Sequence, residues 1–349
     1  MSLRVTSAAR YNARGLKQQV GISSVPSTGH SLTQRLRGLL LPITTPFTTS
    51  GDLDLQCLCS NISKWNRTGI SGYVVLGSTG ERVHLDEGEY FTVIAAAHEE
   101  VAAEANGLML IAGAGRQSTR ATINEIEKVA ALGVEAVLVI TPHFYRSAIT
   151  QEALVDYYEQ VADQSPVPVI LYSMPALTGI KIEPETAARL SSHQNIIGIK
   201  DSSTDIERLQ DTVRLSRADF AVLTGNGTVL CDALRAGACG AILAVGCVVP
   251  ALCLEILRAV QAGDSDRAAA LQAKLKPLAE AVTTHYGIGG LKAALDLIGY
   301  VGGEVRMPLR GADKNAREEI ASLLSLALAA LDNDESIADS LLVRDAHPA

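Results

Sequence analysis

The stretch PVILYSMPALTGIKIEPETAARLSSHQNIIGIKDSS, at residues 168–203, contains the pattern that decides the fold. Two short runs within it, PVILY at 168–172 and NIIGI at 195–199, are apolar almost throughout. Strands that are buried on both faces have this composition, and such strands occur in parallel sheets covered by helices. The gap between the two runs is long enough for one crossover helix, so the stretch predicts a strand, a helix and a second, parallel strand.

The same unit repeats along the chain. Six more apolar runs are GLLLPI at 38, GYVVL at 72, LMLIA at 108, AVLVI at 136, DFAVLT at 219 and GAILAV at 240. Segments with helical spacing lie between the runs, for example Leu55, Leu58, Ile62 and Trp65. Eight such units predict an α/β fold, a (β/α)8 TIM barrel at residues 38–263.

An open doubly wound sheet is the alternative arrangement of the same elements. Its dinucleotide-binding form would carry a glycine-rich loop directly after a strand. The cluster GAG at 113–115 lacks a third glycine at the right spacing, and GIGG at 287–290 follows no predicted strand. The barrel is therefore the favoured prediction.

Beyond residue 263 the apolar spacing is purely helical. Helices are predicted at 265–284, where Pro277 should cause a kink, at 290–298 and at 313–331. Residues 264–331 thus form a C-terminal helical appendage to the barrel, and residues 332–349 are predicted to be a loose tail.

Residues 1–37 precede the first predicted strand. The first 51 residues contain six basic residues and no Asp or Glu, which is the composition of a mitochondrial transit peptide. We therefore predict a protein of the mitochondrial matrix. The alternative is a disordered N-terminal arm on a cytoplasmic protein.

Composition narrows the partners to small molecules. The chain of 349 residues has a formal charge of −8 and no basic stripe interleaved with aromatic residues, which argues against nucleic-acid binding. The charge-free stretch 236–254 is interrupted by Gly240, Gly246 and Pro250, so a buried strand running into a helix explains it better than a membrane span. The six cysteines contain no C-x-x-C pair, which predicts reduced cysteines and no zinc site.

In a (β/α)8 barrel the active site gathers at the carboxyl ends of the strands, and Lys200 is the only one of nine lysines that ends a predicted strand. A neutral lysine amine attacks a carbonyl to form a Schiff base, and burial at an apolar strand end favours the neutral form of an amine. The alternative is an ion pair between Lys200 and the neighbouring Asp201 at the rim.

Three other strand ends carry polar residues. Tyr172 ends the fifth run, where a phenol can transfer protons, although a lone tyrosine there is more often a rim residue. GSTGE at 77–81 offers hydroxyls and backbone N–H groups for an anion, or is only a tight turn. TPHFYR at 141–146 contains His143, for which packing beside the aromatic residues is the expected role.

These endings, in this order, resemble the dihydrodipicolinate synthase and N-acetylneuraminate lyase family of Schiff-base aldolases over about residues 39–331. The resemblance is carried by PITTPF at 42–47, GSTGE at 77–81, TPHFYR at 141–146, LYSMPALTG at 171–179, GIKDSS at 198–203 and GACGAI at 237–242. It implies that Lys200 is the Schiff-base lysine, that Tyr172 is the proton shuttle and that Ser78 belongs to the proton relay. The residues expected to contact the substrate are Gly77, Ser78, Thr79, Ser202 and Ile242.

Two positions depart from the synthases of this family. The synthases carry an arginine that holds a substrate carboxylate where this chain has Leu177, and leucine cannot replace a bidentate carboxylate fork. They also carry a tyrosine that reaches across a subunit interface where this chain has Phe144. Either Tyr145 replaces that hydroxyl, or Tyr172 works with Ser78 and water alone.

The motif set, with HYGIGGLKAALDLIGYVGG at 285–303, looks most like that of the mitochondrial 4-hydroxy-2-oxoglutarate aldolases of eukaryotes. The resemblance implies cleavage of a 2-keto-4-hydroxy acid to pyruvate and an aldehyde, with no metal and no cofactor, by a homotetramer. Aldolases that cleave 2-keto-3-deoxy sugar acids are the rival within the family. A barrel that binds keto acids without turnover is the alternative of another class.

Overall fold

Eight parallel strands follow one another around a closed barrel in the order of the sequence. The computed structural model describes residues 31–103 and 107–332. The strands are β1 (Leu39–Pro42), β2 (Gly72–Val75), β3 (Met109–Ala114), β4 (Ala136–Ile140), β5 (Val169–Ser173), β6 (Ile196–Asp201), β7 (Ala221–Thr224) and β8 (Gly240–Ile242). Pairing of β1 with both β2 and β8 closes the barrel, and each strand lies within one of the predicted apolar runs or overlaps it. The predicted (β/α)8 barrel is confirmed.

Helices connect the strands and cover the outside of the barrel. They are α1 (Leu32–Arg35), α2 (Leu55–Trp65), α3 (Glu87–Ala103), α4 (Thr119–Ala130), α5 (Gln151–Gln164), α6 (Pro175–Thr178), α7 (Pro184–Ser191), α8 (Ile206–Leu215), α9 (Leu230–Arg235), α10 (Pro250–Gln261), α11 (Ser265–Glu280), α12 (Gly287–Leu297) and α13 (Lys314–Asp332). Several begin where a side-chain oxygen accepts a hydrogen bond from an otherwise unsatisfied backbone N–H group. The residues that cap helices in this way include Asp54, Ser118, Thr150, Asp205 and Asp264.

Buried side chains form two layers, because successive residues of a strand point to opposite faces. The outer layer lies between the strands and the helices and includes Trp65, whose indole N–H donates to the carbonyl of Cys247. The inner layer fills the barrel and includes Leu40, Val74, Tyr172 and Ile242. The two layers explain why the strands are apolar on both faces.

The C-terminal helices α11, α12 and α13 appear where the spacing predicts them. Pro277 lies inside α11, and a π-helical turn at Ala281–His285 follows that helix. α12 begins at Gly287 rather than at the predicted residue 290. The buried ammonium of Lys292 on α12 donates to the carbonyl of Thr45, which joins the appendage to the barrel.

The predicted N-terminal segment is too long by seven residues. Residues 31–37 belong to the fold: Ser31 forms a capping box with Gln34 at the start of α1, and Arg35 forms an ion pair with Glu135. Leu36 is fully buried in the inner layer of the barrel. Residues 1–30, which carry most of the transit-like composition, and the tail at 333–349 lie outside the described residues.

No helix in the described part of the chain is long and apolar enough to cross a membrane. All six cysteines are free, and Cys231, Cys247 and Cys253 are buried. Burial raises the pKa of the Cys253 thiol to about 12, so this side chain is an uncharged core residue.

Candidate active site

Lys200 lies inside the barrel at the carboxyl end of β6. In register it lies between Tyr172 of β5 and Leu223 of β7, and it is only 5% exposed. Its Nζ lies 4.5 Å from the centre of the Tyr172 ring. Because Lys200 is part of the strand and does not follow it, its direction is set by the pleat of β6.

The side chain of Asp201 lies on the opposite face of β6, outside the barrel. Its carboxylate forms an ion pair with Arg208 of α8, with 3.0 Å between Oδ2 and Nη2, and both side chains are buried. Among the described residues, no carboxylate forms an ion pair with Lys200. The alternative in which Lys200 pairs with Asp201 is therefore wrong, because neighbouring residues of a strand point to opposite faces.

Tyr172 and Ser78 meet at the cavity above Lys200. The hydroxyl of Tyr172 lies 3.4 Å from Oγ of Ser78, within reach of a long hydrogen bond. Tyr172 is buried, and Ser78 is partly exposed to solvent. The pair can pass a proton between the buried centre and the cavity.

The segment GSTGE forms a tight loop after β2. The N–H of Gly80 donates to the carbonyl of Gly77, and the N–H of Glu81 donates to that of Ser78. A Cβ on Gly80 would lie 2.9 Å from Cα of Leu76, so glycine is required there, whereas a Cβ on Gly77 would meet only Val74, at 3.7 Å. Within the described residues, no acceptor is recorded for the N–H groups of Ser78 and the buried Thr79, which leaves both N–H groups available for an anion.

Lys292 holds the end of this loop from α12. Its Nζ lies 2.6 Å from Oε1 of Glu81, and both side chains are buried. Burial lowers the pKa of Lys292, and Glu81 opposes that shift. This pair was not predicted from the sequence, although a single lysine within the apolar segment IGGLKAAL at 288–295 is a signal for a buried cation with a partner.

Ser202 and Gly225 complete the surroundings of Lys200. Oγ of Ser202 is buried and has no hydrogen-bond partner among the described residues. A Cβ on Gly225 would overlap that hydroxyl and would lie 2.5 Å from Cε of Lys200. The absence of a side chain at Gly225 therefore leaves room for the side chains of Ser202 and Lys200 to lie next to each other. In the sequence, the only sign of this role was a glycine after the seventh apolar run.

A cavity of about 340 Å³ is lined by Tyr172 and Ser78, whereas Lys200, Thr79 and Ser202 are not part of its wall. Its wall includes Gly77, Ser78, Arg82, Tyr172 and Leu177, while Lys200 lies deeper, against the ring of Tyr172. Ile242 is fully buried in the inner layer of the barrel and does not line this cavity. A larger cavity of about 500 Å³ is lined by Arg37 and Cys239, among other residues, near the amino ends of the strands. In (β/α)8 barrels the active site lies at the opposite, carboxyl ends.

The loop TPHFYR lies at the cavity mouth. His143 lines the cavity, and its Nδ1 lies 3.1 Å from the carbonyl oxygen of Thr141. Phe144 and Tyr145 are 74% and 70% exposed and do not line the cavity. The phenol of Tyr145 therefore does not replace the missing relay hydroxyl within its own chain.

Within residues 31–103 and 107–332, no group of three or more His, Cys, Asp or Glu side chains is arranged to hold a metal ion. The chemistry available at the described site is that of an amine, a phenol and hydroxyl groups. A buried lysine at the carboxyl end of a (β/α)8 barrel, beside a tyrosine and a serine, is the arrangement of a Schiff-base aldolase or synthase.

Comparison with known proteins agrees with this class. Residues 35–327 match the model of the dihydrodipicolinate synthetase family. The 4-hydroxy-tetrahydrodipicolinate synthase of Thermotoga neapolitana is 33% identical over 292 residues, covering 82% of this chain and 97% of that protein. The chain belongs to the dihydrodipicolinate synthetase family and is an enzyme, a lyase of the pyruvate-dependent aldolase type.

Two solved structures are similar over nearly their whole length. The dihydrodipicolinate synthase of Thermotoga maritima has a TM-score of 0.79 at 31% identity, covering 84% of this chain and 99% of that one. A prophage protein of the same family from Escherichia coli K12, solved in complex with pyruvate, has a TM-score of 0.76 at 28% identity, covering 84% of this chain and 98% of that one.

Proposed function

We propose that this enzyme cleaves a 2-keto-4-hydroxy acid to pyruvate and an aldehyde, and that the substrate is 4-hydroxy-2-oxoglutarate, which yields glyoxylate. The observation that carries the proposal is Leu177. It lines the cavity and is 61% exposed, in the position where the family's synthases present an arginine. The synthase reaction relies on that guanidinium, and leucine offers no donor to a carboxylate.

The covalent step belongs to Lys200. Its Nζ attacks the C2 ketone, water leaves, and a protonated imine forms. Tyr172 takes the proton of the C4 hydroxyl, the C3–C4 bond breaks, and the electron pair moves into the imine as the aldehyde departs. The resulting enamine is protonated at C3, and water then hydrolyses the imine to pyruvate and the free amine.

Ser78 and Thr79 are proposed to bind the carboxylate of the pyruvate half. Both residues belong to the loop between β2 and Glu81, and Oγ of Ser78 lies 3.4 Å from the hydroxyl of Tyr172. A carboxylate held there places C2 near Lys200. The pyruvate complex of the related prophage protein from Escherichia coli supports pyruvate as the half that is retained.

A 2-keto-3-deoxy sugar acid is the second candidate substrate, and Ser202 is the observation that favours it. Its buried Oγ lacks a partner and faces the space beside Lys200, where it can bind a hydroxyl of a sugar chain as well as a carboxylate.

The test is a comparison of kcat/KM for cleavage of 4-hydroxy-2-oxoglutarate, cleavage of a six-carbon 2-keto-3-deoxy sugar acid, and condensation of pyruvate with aspartate semialdehyde. We expect the first to exceed the third by orders of magnitude. A preference for the sugar acid would move the assignment to that substrate and leave the roles of Lys200 and Tyr172 unchanged. Release of no pyruvate from either acid would contradict the proposed cleavage.

We also propose that the enzyme is a homotetramer of the mitochondrial matrix. Exposed apolar side chains at the cavity mouth and on the TPHFYR loop support assembly, since large exposed apolar groups favour contact with another protein surface. These side chains are Val83, Phe144, Tyr145 and Leu177. The composition of residues 1–37 supports import, and fusion of this segment to a fluorescent protein tests it.

A further inference from the structure

Arg82 brings a cation to the wall of the catalytic cavity. It directly follows the GSTGE loop, and its side chain is 13% exposed. The guanidinium lies 5.4 Å from the centre of the Tyr90 ring and forms an ion pair with Glu125 of α4. Its Nε is buried and has no hydrogen-bond partner among the described residues. Arg82 therefore places a largely buried guanidinium in the wall of a cavity that must admit an anion.

The charge around Arg82 does not cancel. The buried carboxylate of Glu125 is shared between Arg82 and Arg116, and it also accepts from the N–H of Gly115 at 2.9 Å. Neither arginine forms an ion pair with any other carboxylate of the described residues. Two guanidinium groups and one carboxylate leave one net positive charge beside the cavity.

The two arginines differ in what they face. Arg116 is 46% exposed and does not line the cavity, so water screens its charge. Arg82 is largely withdrawn from water and lies in the wall together with Ser78 and Tyr172. A charge is felt more strongly there, because the effective dielectric constant is lower than in solvent.

Leu177 lines the same cavity, and by the resemblance of LYSMPALTG it stands where the family's synthases carry a guanidinium. We propose that Arg82 supplies a positive charge at a different place in the cavity from that guanidinium, and that it selects 2-keto acids whose far end carries a second carboxylate. The inference rests on the proposed function, because it names the substrate class of the same site. A carboxylate paired with a guanidinium gains a charge-assisted contact that a neutral chain end lacks.

The experiment uses two keto acids of equal length that cannot be cleaved, 2-oxoglutarate and 2-oxopentanoate. Calorimetric titration of the full chain measures both dissociation constants. We expect 2-oxoglutarate to bind about tenfold or more tightly in the unmodified enzyme, and we expect Arg82→Gln to abolish this preference without weakening 2-oxopentanoate. Arg116→Gln is the matched control, because it also removes a contact with Glu125 but leaves the cavity wall intact.

Loss of a partner for buried Glu125 could unfold the single variant, so Arg82→Gln/Glu125→Gln removes the charge together with its partner and should show the same lost preference. An unmodified enzyme that does not prefer the dicarboxylate, or an Arg82→Gln variant that keeps the preference, overturns the inference. Borohydride trapping of pyruvate on Lys200 reports separately on the proposed chemistry, so the two failures are distinguishable.

Discussion

At the scale of single residues, chemistry depends on which face of β6 a side chain occupies. Lys200 points into the barrel, and Asp201 contacts Arg208 outside it. This separation leaves the amine without a carboxylate partner among the described residues. The proposed attack on a ketone requires an amine that no carboxylate holds in an ion pair.

Lys200→Arg should abolish both turnover and covalent trapping, because a guanidinium cannot form the imine. Borohydride reduction in the presence of pyruvate, followed by peptide mapping, should show the adduct on Lys200 of the unmodified enzyme. An adduct on any other lysine, or turnover by the arginine variant, would falsify the mechanism.

Gly225→Ala should lower kcat/KM at least tenfold while the enzyme remains folded. The added methyl group would overlap Oγ of Ser202 and crowd Cε of Lys200, and both are ends of side chains that can rotate away. Rotation preserves packing but misplaces the reacting groups, and small misplacements are costly in catalysis. Gly311→Ala is the matched control, since a Cβ at Gly311 meets nothing within 4 Å. Equal activity of the two variants would contradict the role given to Gly225.

At the scale of elements, α12 and the loop after β2 are joined by the buried ion pair of Lys292 and Glu81. Removing one member leaves the other charge buried without compensation. The loop carries Ser78 and Thr79, so the appendage beyond the barrel supports the proposed substrate-binding loop.

Lys292→Met should therefore lower the stability by about 3–5 kcal/mol, and Lys292→Met/Glu81→Gln should recover part of that loss. Chemical denaturation of the two variants and the unmodified enzyme measures the difference. If the double variant is no more stable than the single one, the loss of stability does not come from the unpaired carboxylate of Glu81.

The N-terminal boundary gives a second prediction about an element. Deleting residues 1–29 should leave activity and melting temperature unchanged, whereas deleting residues 1–37 removes Leu36 from the inner layer and Arg35 from its ion pair with Glu135. Loss of a buried leucine typically costs about 2–5 kcal/mol, so only the longer deletion should lower the melting temperature by several degrees. Thermal unfolding of the two deletion variants measures this difference. Equal melting temperatures would mean that α1 does not stabilise the barrel.

At the scale of the whole molecule, the exposed ring pair of Phe144 and Tyr145 predicts an interface between subunits. Light scattering should report a tetramer, and Phe144→Asp/Tyr145→Asp should shift the mass to a smaller species by placing two charges in an apolar contact. Leu326→Asp, at another exposed leucine, is the control on α13. A tetramer that survives the aspartate pair would show that these rings lie outside the interface.

The sequence by itself determined the barrel and the strand end at which Lys200 lies. A strand buried on both faces must be apolar throughout, which is a local property, so eight such runs could be counted without any knowledge of contacts. Lys200 and Tyr172 could be placed at strand ends for the same reason, since each ends an apolar run where the active site of a (β/α)8 barrel lies, but their proposed roles came from the resemblance of the whole motif set. The helices beyond residue 263 followed from their spacing, with start positions in error by a few residues.

Only the tertiary structure decided how distant residues combine. Gly225 makes room for Ser202 and Lys200, Glu81 meets Lys292, and Glu125 is shared by Arg82 and Arg116. Each of these contacts joins residues on different elements, so it depends on barrel closure and on the rotamers that packing allows. The residue pattern of a single segment does not indicate which distant side chain will contact it. The residues of the cavity wall could therefore be identified only from the folded chain.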